Sequence, residues 1–349
     1  MSQETIEMYH KWLDRWDERR AQLGDAVKEV TGFAIDAHLA FPEATKEAGL
    51  GELCARADRA LRDPIFFEDE DASDLELGRD GGWISFPSSV ATDVEENNLV
   101  WARVTERRPS DHALVVFHHW NATSRNPQMA KFLSRRGITV VEIAMPYHFE
   151  RSRPGSSHAD YMLGPNLGRT IQSLRQAVLD GRKLIRGLRN DGYGEISVLG
   201  MSLGSWVAGL VVAHEPAVQK ASLFLTAGSL ADMVWTGRAT QHIRASLEDK
   251  IDLADLRRAW APLNLENYAD RLARRGLDLQ VVYAKRDTVV APALTKQLIA
   301  KLENAGAELW VLELNCGHYS LSLPPYIIWA GWSLQRFLSR GHRAVSTCS

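Results

Sequence analysis

Two hydrophobic rhythms divide this chain. From Ala113 onward, short and nearly unbroken apolar runs recur: ALVVF at 113–117, GITVVEIA at 137–144, ISVL at 196–199, KASLFLT at 220–226, LDLQVVYA at 277–284 and ELWVLEL at 308–314. Runs of this length, partly β-branched, suit strands buried on both faces of a parallel sheet. Between and after them lie stretches with helical spacing, over 128–136, 165–188 (long and amphipathic), 205–213 and 325–338. Buried strands alternating with helices predict an α/β fold with a mostly parallel central sheet.

Two regions break the alternation. Residues 1 to about 62 carry helical spacing: Ile6, Tyr9, Trp12, Leu13 and Trp16 form an apolar packing stripe, and Asp14, Arg15, Asp17, Glu18 and Arg19 fill the other face. Strands begin near Gly81-Gly82, where Trp83–Phe86 and Leu99–Val104 read as an antiparallel opening pair joined through 87–98. The interval from Gly228 to Gly276 is rich in Trp, Leu, Arg and Ala and holds no strand candidate. So long an interval predicts a helical lid, 229–276, over the C-terminal edge of the sheet. Met233, Trp235, Trp260, Leu263 and Tyr268 either line an apolar pocket there or bury the underside of the lid. The expected division is an N-terminal helical extension over 1–80 and an α/β domain over 81–349.

Composition narrows the function classes. A net charge of −3 over 349 residues leaves no nucleic-acid footprint. The N-terminus is charged throughout, without the apolar centre of a signal peptide, and no apolar run approaches the ~20 residues needed to span a bilayer. Cys54, Cys316 and Cys348 are too few for a disulfide framework, which makes a reducing cytoplasm the expected compartment. The acidic run Glu68, Asp69, Glu70, Asp71, Asp74 and Glu76 lacks the spacing and glycine of a calcium loop and reads as a solvated connector. No cofactor and no metal is expected.

The chemistry gathers at strand ends. Gly200-Met201-Ser202-Leu203-Gly204 falls between a buried strand and a helix of small apolar residues. In that context a sharp turn lifts the serine above the sheet, beside the unpaired N–H groups of a helix N-terminus. A nucleophilic serine needs a base, and the base needs an orienting carboxylate. Asp287 follows the 277–284 run directly and His318 follows the 308–314 run, so both stand at the same edge as Ser202. The alternative for Asp287 is a helix N-cap ahead of Pro292.

The order Ser202, Asp287, His318 is that of the α/β hydrolases, and from about Ala113 to Leu338 the chain resembles that superfamily. GMSLG resembles its nucleophile elbow, AKRDTVVAP its acid loop and NCGHY its histidine loop. The stretch from Met145-Pro146-Tyr147-His148 to Arg153-Pro154-Gly155 resembles a loop of a poorly characterised esterase-like branch. The resemblance implies hydrolysis of a small or medium carboxylic ester through an acyl-enzyme. It implies oxyanion donors at the N–H of Leu203 and, after the 113–117 strand, at Trp120. His119 stands where the family usually has glycine, so His119 or Asn121 are the alternative donors. His118, His119, Tyr147, His148 and Trp235 are candidate contacts for the acyl substrate. Adjacent residues such as His118 and His119 point to opposite sides of a strand end, which disfavours a metal. The same three side chains would serve a thioesterase, a peptidase or an acyltransferase, and the fold without activity would serve as a binding protein. The Trp-rich N-terminal helices offer a surface for a homodimer.

Overall fold

The computed structural model describes residues 3–25, 28, 31–68 and 77–340. Three helices come first: α1 (Gln3–Asp25), α2 (Ala37–Ala40) and α3 (Leu50–Arg62). Strands β1 (Gly78–Asp80) and β2 (Trp83–Pro87) follow, then β3 (Leu99–Thr105), β4 (His112–Phe117), α4 (Pro127–Ser134), β5 (Thr139–Ile143) and α5 (Leu167–Asn190). Next come β6 (Glu195–Met201), α6 (Leu203–His214) and β7 (Lys220–Phe224). Helices α7 (Leu230–Thr236), α8 (Gln241–Leu247), α9 (Leu253–Ala259) and α10 (Ala269–Leu272) lead to β8 (Asp278–Ala284). The last elements are α11 (Pro292–Asn304), β9 (Leu309–Leu314) and α12 (Tyr326–Leu338).

The nine strands form one sheet in the order β1-β2-β3-β5-β4-β6-β7-β8-β9. Pairs from β1 to β2, β3 and β5 are antiparallel, and every pair from β5 through β9 is parallel. Gly81-Gly82 does not open the strands. It is the two-residue turn of the β1–β2 hairpin, with both glycines at positive φ, 53° and 81°, as a primed turn requires. Along β4 the side chains alternate: Ala113, Val115 and Phe117 pack under α5 and α6, whereas Leu114 and Val116 join Leu133 of α4 and Leu334 of α12 on the other face.

The N-terminal residues are built into this sandwich. Residues 31–68 lie across the outer side of α5, so close that a Cβ on Gly168 would strike the Asp36 carbonyl. The expected amphipathic helix is therefore buried nearly all round, Asp180, Arg182 and Lys183 included. The charges find partners: Arg182 pairs with Glu68 at 2.7 Å, and Asp180 pairs with Arg151 at 2.9 Å with both side chains fully covered. Helix α1 also departs from its expected orientation. Its buried line is Leu13, Asp17 and Ala21, while Trp12 is half exposed. The Ile6 side chain, residues 69–76 with Asp69, Glu70, Asp71, Asp74 and Glu76, and Cys348 lie outside the described residues.

Between β7 and β8 the described residues form short helices joined by turns, with no strand. Met233, Trp260, Leu263 and Tyr268 are buried in the main core, with the Trp260 indole donating to the Leu167 carbonyl and the Tyr268 hydroxyl to that of Pro262. All four are packed as core residues. Among the described residues, no helix is long and apolar enough to cross a membrane.

The Arg151–Asp180 pair ties the loop after β5 to α5, and Arg151 also donates to the carbonyls of Asn97 and Ala144. Asp180→Ala would leave a buried guanidinium without its counter-charge. The expected cost is roughly 3–5 kcal/mol of unfolding free energy, read from denaturant titration.

Candidate active site

Where β6 ends, the chain has to reverse into α6 within one residue. Ser202 takes that turn at φ 51° and ψ −124°, a strained conformation for a side-chain-bearing residue. Its N–H donates to the Phe224 carbonyl of β7, and its carbonyl accepts from the N–H of Ser205 at 2.7 Å. The flanking glycines are required by contact. A Cβ on Gly200 would meet the backbone of Gly204 and Ser205, and one on Gly204 would meet the carbonyls of Phe117 and His118. The N-terminus of α6 is thereby pressed against the end of β4.

Asp287 sits in the turn after β8, 6% exposed. One carboxylate oxygen accepts from the N–H groups of Val289 and Val290, at 2.7 and 2.8 Å. Helix α11 begins later, with Ala291 before it and no side-chain cap, so Asp287 is not its N-cap. The other oxygen accepts from His318 Nδ1 at 2.8 Å. A carboxylate held this way only accepts, which puts the ring proton on Nδ1 and leaves the Nε2 lone pair facing outward. Ser202 Oγ stands 3.1 Å from that Nε2. Three side chains from the ends of β6, β8 and β9 thus form one continuous hydrogen-bonded line.

The remaining predicted residues divide. His119 is exposed in the loop after β4 and Trp120 is half buried beside it. The Trp120 indole donates to the Ala159 carbonyl, its face lies 5.0 Å from Lys28 Nζ, and it stacks on His242 at 6.1 Å. Tyr147 is buried against Tyr161 in the core, and its N–H donates to Asn97. Trp235 is half buried at the end of α7 under the Arg244 guanidinium.

His118 and His148 are buried and hydrogen-bonded on both ring nitrogens. His118 Nδ1 donates to the His119 carbonyl, and Met145 N–H donates to its Nε2. His148 Nδ1 donates to the Pro146 carbonyl, and Asn121 N–H donates to its Nε2. Each ring is spent on both nitrogens, which also removes His118 from any metal. The two rings meet edge to face, 4.6 Å apart, and lock the loop after β4 to the loop after β5. The Asn121 N–H is already donated to His148, so that group is not available as an oxyanion donor.

One contact arrives from a region where no chemistry was expected. Asp17 of α1 accepts from the N–H groups of Tyr319 and Ser320, the two residues after His318. Its spacing of four from Leu13 and Ala21 was a usable signal, but a charge at that position reads as solvent-facing.

The buried imidazoles carry a pH signature. Burial pushes His148 down to about 4 from its ordinary 6.5, and burial with the neighbouring His148 charge holds His118 well below its ordinary value. Between those limits the unfolded chain binds protons that the folded chain refuses, so this stability is complete above pH 6.5 and is lost as pH falls toward 4. Denaturant titrations should show a decline of about 1.4 kcal/mol per pH unit for each such histidine. His148→Asn should flatten that slope.

No protein-family model matches the chain, and no curated protein sequence does. Solved structures match by shape. Acetyl xylan esterase 1 from Thermoanaerobacterium sp. aligns with a TM-score of 0.59 over 84% of this chain and 99% of its own, at 14% identity. An acetyl xylan esterase from Paenibacillus sp. gives 0.57 over 91% of this chain and 98% of its own, at 13% identity. A Mycobacterium tuberculosis puromycin-hydrolyzing peptidase gives 0.52 over 69% of this chain at 14% identity, and this chain spans only 37% of that peptidase. A likeness of this degree is one of fold, and the fold shared is that of the α/β-hydrolase superfamily.

Proposed function

We propose that this chain is a serine hydrolase that cleaves a carboxylic ester through Ser202, His318 and Asp287. The observation that carries the reading is the hydrogen-bonded line from Ser202 Oγ through His318 to Asp287. As the hydroxyl attacks the acyl carbon, its proton passes to His318 Nε2, and Asp287 holds the ring and balances its positive charge. The oxyanion of the tetrahedral intermediate takes the Leu203 N–H, which opens α6 and has no acceptor within that helix, and the Trp120 N–H as second donor. Collapse expels the alcohol, which receives the proton from His318. Water then attacks the acyl-enzyme with the same imidazole as base, releasing the acid and restoring Ser202.

In this reading the lid is α7 with α8. Arg238 N–H donates to the Thr288 carbonyl beside Asp287, and His242 of α8 stacks on Trp120. Helix α9 packs on α3 as well as on α7, and α10 packs on α6 and α11. The acetyl xylan esterases among the structural neighbours favour an ester with a small acyl group. The peptidase neighbour keeps amide cleavage as the second reading.

A fluorophosphonate should label the folded protein covalently, and Ser202→Ala should abolish both labelling and turnover of 4-nitrophenyl esters. Lack of labelling in the folded wild-type chain would make it a binding protein. Asp287→Asn should lower kcat by about 10⁴-fold, because the amide lets His318 settle in the wrong tautomer. Comparing acetyl with longer acyl esters, and esters with peptide amides, separates the two substrate readings.

A further inference from the structure

Resting on the triad reading, we propose that Asp17 is a positioning residue for His318, and that α1 is part of the construction of the site. The Asp17 carboxylate holds the histidine loop on both sides of the imidazole. Downstream, it accepts from Tyr319 N–H at 2.7 Å and Ser320 N–H at 3.0 Å. Upstream it acts through Ser320, whose hydroxyl donates to Asp17 at 2.5 Å while accepting from Gly317 N–H at 2.8 Å. The peptides before and after His318 are therefore pinned to one carboxylate, and that carboxylate is 7% exposed.

The approach is tight enough to dictate sequence. A Cβ at position 317 would fall on the Asp17 carboxylate, so glycine there is a consequence of Asp17. The same helix braces the neighbouring loops. Asp14 pairs with Arg286, next to Asp287, with Arg286 Nε donating at 2.8 Å, and His10 Nε2 lies 3.0 Å from Asn315 Nδ2. Glu7 pairs with Lys11 at 3.1 Å on the exposed face of α1 and provides a control on the same helix. A solvated face would not spend a buried carboxylate on three donors from one loop.

The test uses full-length Asp17→Ala, Asp17→Asn, Ser320→Ala and Glu7→Gln, each with a thermal melt, a fluorophosphonate labelling rate and kinetics on 4-nitrophenyl acetate. Misplacing His318 by about 1 Å should lower kcat and the labelling rate about 10²-fold in Asp17→Ala, with KM little changed. Asp17→Asn, whose single amide oxygen accepts only part of the set, should fall between Asp17→Ala and wild type. Glu7→Gln should keep the wild-type rates. Asp17→Ala with wild-type kcat and labelling would overturn the proposal, as would Glu7→Gln losing as much rate as Asp17→Ala. If Asp17→Ala does not fold, Asp17→Asn and Ser320→Ala decide the same question by the same criteria. A wild-type chain that resists labelling would overturn the hydrolase reading and this proposal together, whereas a labelled wild type with an unaffected Asp17→Ala overturns this proposal alone.

Discussion

The hydrogen bond from His318 Nδ1 to Asp287 governs the organisation of this molecule. An imidazole left to itself exchanges tautomers and rotates. Fixed to an acceptor that already holds two backbone N–H groups, it keeps one nitrogen protonated and offers the other to Ser202. The bond joins loops that belong to different strands, β8 and β9, so it depends on their parallel register. The strain at Ser202, the two glycines around it and the close approach of β4 to α6 all serve to bring the hydroxyl to the free nitrogen.

Around this line the protein spends an unusual amount of buried polarity. His118 and His148 interlock two loops as neutral rings, and Arg151 with Asp180 anchors the second of those loops to α5. Each is costly to bury and is tolerated because it is ion-paired or hydrogen-bonded. Such networks specify loop geometry better than apolar contacts do, since a hydrogen bond has direction and a methyl group does not. The loops they fix are those that border Ser202.

Much of this was legible in the sequence, and the reasons are local. Strands β4 to β8 show as apolar runs because burial on both faces leaves no polar alternation to confuse them, and the edge strand β9 is apolar in sequence although partly exposed. Ser202, Asp287 and His318 each follow such a run directly, so the topology of a parallel sheet gathers them at one edge. What escaped depends on distant backbone. His118 and His148 look like free site histidines until Met145 and Asn121 are seen to occupy their ring nitrogens. The covering of α5 by residues 31–68 leaves no trace in the periodicity of α5 itself. Asp17 was hidden for the same reason: its donors lie at the opposite end of the chain.

That last separation has a consequence for biosynthesis. The carboxylate of α1 and the amide of Tyr319 are 302 residues apart. The helix is synthesised before its partner loop, and every strand of the sheet lies between them, so this contact can form only after the sheet has been made. Until then the emerging polypeptide carries Ser202 without a fixed imidazole beside it.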